Sequence, residues 1–84
     1  MNNRRLKTLA AVFADPVKPG IAWEDIEALL VAIGCEKREG AGSRVRFMLR
    51  GVVLAVHRPH PRKEAKPYQL REVRGFLEKL GIRP

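Results

Sequence analysis

The chain has a single cysteine, Cys35, among its 84 residues. An internal disulfide is impossible, so a domain this small must be held together by its apolar core alone. No apolar run comes near the roughly 20 residues that a membrane-crossing helix needs. Arg4 and Arg5 open the chain, but Lys7 and Thr8 interrupt the apolar stretch that follows, which is not the pattern of a secretory leader. These absences point to a reducing, cytoplasmic setting with no membrane partner. Aromatic residues are scarce at 6%, and nine acidic residues face seventeen lysines and arginines. The shortage of acid leaves a net charge of +8 and a pI near 10.6, which calls for an anionic partner.

The positive charge is localised. Between Gly42 and Arg74 lie nine basic residues, Arg44, Arg46, Arg50, Arg58, Arg62, Lys63, Lys66, Arg71 and Arg74, against only Glu64 and Glu72. Both histidines, His57 and His60, fall in the same segment. By contrast, Ile21 to Ser43 is net acidic. Charge spread for solubility has no reason to cluster, whereas charge gathered on one segment is the footprint of a phosphate-binding face.

Periodicity divides the chain into elements. Leu6, Leu9, Ala10 and Phe13 predict a helix over Asn3 to Ala14, which Asp15-Pro16 and Pro19-Gly20 break. Trp23, Ile26, Leu29, Leu30 and Ile33 predict a second helix, its first turn loaded with Glu24, Asp25 and Glu27 and its end marked by Gly34. The period then changes to two. Cys35 to Glu39 reads as a short strand. Val45, Phe47 and Leu49 alternate with Arg44, Arg46, Met48 and Arg50, and Arg50-Gly51 turns the chain into Val52 to His57. Arg58-Pro59-His60-Pro61 cannot continue a ladder, because proline has no N–H to donate. Leu70, Val73, Phe76, Leu77 and Leu80 predict a last helix over Gln69 to Leu80. The expected fold is therefore α+β, a three-stranded antiparallel sheet packed by helices on one face, in the order α-α-β-β-β-α. Residues 1–20 read as a helix with a Pro/Gly linker, and residues 21–84 as the main domain.

Several of these residues together resemble a known family. Gly42-Ser43 with Phe47, the glycine hairpin at Gly51, the turn His60-Pro61-Arg62-Lys63-Glu64-Ala65-Lys66-Pro67 and the closing helix Leu70 to Leu80 are similar to the HicA toxins of bacterial type II toxin–antitoxin systems. The resemblance implies a double-stranded-RNA-binding-domain-like fold, cleavage of mRNA without a metal or other cofactor, and neutralisation by a HicB-like antitoxin. It also implies a catalytic histidine just after the Gly-Ser pair, where this chain has Arg44. An always-charged guanidinium is a poor base, so the alternatives are a non-catalytic RNA-binding module or a protein whose basic face docks its antitoxin.

The remaining histidines are then the candidate acid–base groups. His60, fixed between two prolines, and His57, at a strand end, are expected to carry catalysis, with Arg44 stabilising the charge on the scissile phosphate. His57-x-x-His60 has a metal-like spacing but lacks the carboxylates or cysteines to complete a site, so no metal is expected. Ser43, Arg44, Arg46, Arg50, Arg58, Lys63 and Lys66 are the expected RNA contacts. Arg44, Arg46 and Arg50 should form a row on one strand face, spaced by about 7 Å. Trp23, Phe13, Phe47 and Phe76 read as core, Tyr68 as either a stacking platform or a helix anchor, and Cys35 as a packed residue.

Overall fold

The structure, a computed structural model, describes all 84 residues. Asn3–Val12 forms α1, Trp23–Ala32 α2, Glu36–Glu39 β1, Arg44–Leu49 β2, Val52–His57 β3 and Pro67–Lys79 α3. The strands pair antiparallel in the order β1-β2-β3. This is the α+β order expected from periodicity, and it is consistent with a double-stranded-RNA-binding-domain-like arrangement. No helix is long and apolar enough to cross a membrane.

Strand alternation decides which face carries the core. Val45, Phe47, Leu54 and Val56 are buried against Ile26, Leu29 and Leu30 of α2 and Leu70, Val73, Phe76 and Leu77 of α3. Each such side chain taken out of water contributes about 1.5–3 kcal/mol. Their strand neighbours Arg44, Arg46, Val53, Ala55 and His57 face solvent. One face of the sheet is thus free of helices and available for contact.

Between β2 and β3 the hairpin is a two-residue turn, with Arg50 at φ 48° and Gly51 at φ 78°. Positive φ at both positions matches the right-handed twist of the flanking strands. Gly51 adopts it freely, whereas Arg50 does so against its Cβ. This conformation also corrects the expected row of cations. Arg50 leaves the strand face and donates through Nη2 to the carbonyl of Leu80 at 3.2 Å, beyond the end of α3.

The two flanking helices also differ from their expected limits. Thr8, Leu9 and Val12 form the buried face of α1, whereas Leu6 is 48% exposed and Ala10 is also outside. The expected stripe was out of phase because Thr8 counts as polar by type. Its hydroxyl is satisfied by the Arg4 carbonyl at 3.0 Å, so it can be buried. The helix stops at Val12, and Arg74 of α3 takes up the freed carbonyls of Val12 (3.0 and 3.1 Å) and Ala14 (2.9 Å). α3 begins two residues earlier than its apolar period, at Pro67, whose fixed φ suits the first helical position.

Candidate active site

Cross-strand register builds the site. Arg44, the first residue of β2, lies directly opposite His57, the last residue of β3. Directly opposed side chains have Cβ atoms about 4.5–5.5 Å apart, and both of these point to the open face. Ser43 precedes Arg44, and its Oγ lies 3.3 Å from His57 Nδ1. The corner thus groups a hydroxyl, a guanidinium and an imidazole, all exposed. One register step inward, Arg46 stands between Arg38 of β1 and Ala55 of β3. Neither Arg44 nor Arg46 is engaged in an intramolecular ion pair, so both cations are available to an external anion.

The backbone beneath the imidazole is held at two points. Gln69 Nε2 donates to the His57 carbonyl at 2.8 Å, and the Arg58 N–H donates to the Ser43 carbonyl at 2.8 Å. Gln69 is only 1% exposed. Its other atom, Oε1, accepts from the Lys66 N–H at 2.8 Å and so caps α3.

Arg58 turns inward. Its Nε and Nη2 donate to the two oxygens of Glu27 at 2.7 and 3.2 Å, and Nη1 donates to Glu39 at 2.6 Å. Glu27 is buried and also receives Lys37 Nζ at 3.0 Å and the indole N–H of Trp23. Burial pushes the Glu27 carboxyl up, but the hydrogen bonds from Arg58, Lys37 and Trp23 outweigh that cost and hold it below the usual carboxylate range. The same pairing, with Glu27 first and Glu39 second, drives Arg58 further above its already high value. The expected phosphate contact Arg58 is therefore already matched to two carboxylates.

His60 sits in the exposed loop after β3 and makes no hydrogen bond or ion pair within the chain. Lys63 lines a cleft of about 770 Å³ along α2, together with Arg58, Lys37 and Arg5. Lys66 is the N-cap of α3, and both lysines are exposed on the segment that leaves the His57 end of the sheet. Tyr68, 47% exposed, follows in the first turn of α3. Cys35 is buried, and burial pushes its thiol up, away from the reactive thiolate.

The family model of the HicA toxin of bacterial toxin–antitoxin systems matches residues 23–82, from the start of α2 to just beyond α3. The chain belongs to the HicA toxin family. Neither curated proteins nor solved structures give a match. Membership in the HicA family implies a partner of the antitoxin kind. It also defines what is additional: α1 precedes the matched HicA region, yet Leu9 and Val12 belong to the same core cluster as α2 and α3.

Of the residues expected from the sequence, Ser43, Arg44 and His57 meet at this corner, whereas Glu27 and Gln69, which hold its surroundings, were not among those expected. Glu27 read as one of three acids suited to a helix start, and Gln69 as the first residue of a helix. The available signal was positional. Glu27 lies four residues after Trp23, on one helix face, and Gln69 lies three after Lys66, the spacing of a capping side chain.

Proposed function

We propose that this HicA toxin cleaves RNA at the corner formed by Ser43, Arg44 and His57, without a metal ion, and that a HicB-like antitoxin neutralises it. The observation that carries this reading is the placement of His57 opposite Arg44 and beside Ser43. The family's histidine position on β2 holds Arg44, and the cross-strand neighbour on the same open face is an imidazole. A histidine is suited to removing a proton near neutrality, and one strand's displacement keeps it on the surface where a backbone phosphate would lie.

The chemistry is an intramolecular transesterification. The neutral imidazole of His57 takes the proton of a ribose 2′-hydroxyl, and the 2′-oxygen attacks the adjacent phosphorus. Arg44 stabilises the charge that develops on the non-bridging oxygens. The bond to the 5′-oxygen breaks, and that oxygen is protonated by water or by an acid on the loop, for which His60 is the candidate. A 2′,3′-cyclic phosphate and a 5′-hydroxyl result. Ser43, Arg44 and Arg46 contact the strand on the sheet, Lys63 and Lys66 engage flanking phosphates, and exposed Tyr68 offers a face for base stacking.

The test is incubation of a long mRNA with the purified chain in EDTA, followed by a denaturing gel and analysis of the product ends. Fragments with cyclic phosphate ends support the reading. Intact RNA that is nevertheless bound would replace it with the non-catalytic one. No RNA affinity, with tight binding of an acidic antitoxin, would leave only a docking role.

A further inference from the structure

Gln69 combines three properties that need a common explanation. It is a polar side chain 1% exposed, both of its amide atoms are hydrogen bonded, and it joins two separate elements. Its oxygen satisfies the Lys66 N–H at the start of α3, while its nitrogen reaches across to the carbonyl of His57 at 2.8 Å. A helix cap needs only the oxygen, and a glutamate would supply it equally well. The nitrogen is the unexplained half, and its acceptor is the backbone of the residue whose ring contacts Ser43.

We infer that Gln69 is a positioning residue for His57, tying the end of β3 to the core so that the imidazole stays beside Ser43 and Arg44. The inference rests on the reading of His57 as the base. β3 ends at His57, and the chain beyond it runs into a proline-containing loop that cannot extend the ladder. Without a tether the last strand residue would fray, and its side chain would sample positions away from the phosphate. A second restraint acts from the next residue, because Arg58 is fixed by Glu27 and Glu39 while its N–H holds Ser43. The imidazole and its hydroxyl neighbour are thereby referenced to α2, α3 and β1 through their backbones. The ring itself is left in solvent, where substrate can reach it. A group placed in this way loses rate when its support shifts by an ångström, although no contact with substrate has been removed.

Two variants separate positioning from helix capping. Gln69→Glu keeps an oxygen for the Lys66 N–H and removes the donor to His57, whereas Gln69→Leu removes both. Both are compared with wild type in RNA cleavage at pH 7.5 and in thermal unfolding. His57 ring nitrogens are also followed by ¹⁵N-correlated NMR, which reports the Ser43 contact without any need for turnover. For Gln69→Glu the expected result is a fall in kcat on the order of tenfold or more, with KM within about twofold of wild type. The ring signals should move away from those of wild type in Gln69→Glu. They should also move in Gln69→Leu, which adds no charge beside the His57 carbonyl. Both variants should melt lower, Gln69→Glu because it buries a carboxylate facing that carbonyl. Unchanged kcat with ring signals superimposed on wild type would overturn the inference. So would an equal loss in both variants that follows melting temperature alone. If wild type cleaves no RNA, the functional reading fails separately, and the ring signals of the two variants still decide whether the tether positions His57.

Discussion

Side chains of one type serve opposite ends in this molecule. Arg44 and Arg46 lie open on the sheet, while Arg50, Arg58 and Arg74 are directed at a carbonyl, two carboxylates and the end of a helix. The sequence shows nine cations between Gly42 and Arg74 and marks the segment as basic, but a guanidinium's acceptor is set by tertiary contact and has no local signature. Glu27 shows the consequence for stability. Its carboxyl is held below the value of about 4.5 that it has in an unfolded chain, so its stabilising contribution is present above that value and lost as pH falls through the folded one. Glu27→Gln should destabilise the protein at pH 7 by about 1–3 kcal/mol, because Arg58 and Lys37 lose their counter-charge. The gap to wild type should narrow at pH 3, which urea unfolding at the two pH values measures. Arg50 gives a second residue-scale prediction. Arg50→Ala keeps the Cβ at positive φ and loses the bond to Leu80, at a cost of about 1 kcal/mol. Arg50→Asn should cost less, since asparagine tolerates that conformation, and thermal melts of the two variants compare them directly.

Among the elements, β2, β3 and α2 were legible from period and punctuation, whereas α1 was legible in existence but not in phase. A stripe of four apolar residues looked decisive there. Yet Thr8 can be buried once its hydroxyl finds the Arg4 carbonyl, and burying Thr8 turns Leu6 out to solvent. The attachment of α1 was equally invisible, because it depends on a residue 62 positions along the chain: Arg74 binds the carbonyl of Val12 and lies 5.9 Å from the centroid of the Phe13 ring. Arg74→Lys preserves charge and loses the forked donor set. It should cost about 1–2 kcal/mol and, in hydrogen exchange, speed the amides of α1 more than those of α3.

Taken as a whole, the molecule separates its packed surface from an open, basic one. Helices cover one side of the sheet, and the other carries Arg44, Arg46 and His57 in solvent. The candidate corner was legible in part. A Gly-Ser pair, a basic strand and two histidines could be read directly, but only the register shows that His57, and not His60, lies beside Ser43. The signal was there in the turn: a two-residue hairpin at Arg50-Gly51 sets Leu49 against Val52, and counting outward from it sets Arg44 against His57. If the open face binds RNA through phosphates, Arg46→Ala should weaken binding across all sequences alike. It should also lower the slope of log affinity against log salt by about 0.7–1, as measured by filter binding from 50 to 200 mM salt.

The most direct measurement is cleavage of one long mRNA in EDTA by wild type, His57→Ala and His60→Ala at equal concentration, with all three shown to be folded by circular dichroism. An imidazole acting as the base at the Ser43–Arg44 corner predicts fragments from wild type and a loss of about 10²–10⁴-fold in rate for His57→Ala, with a smaller loss for His60→Ala. Full cleavage by His57→Ala, or a loss confined to His60→Ala, would contradict it.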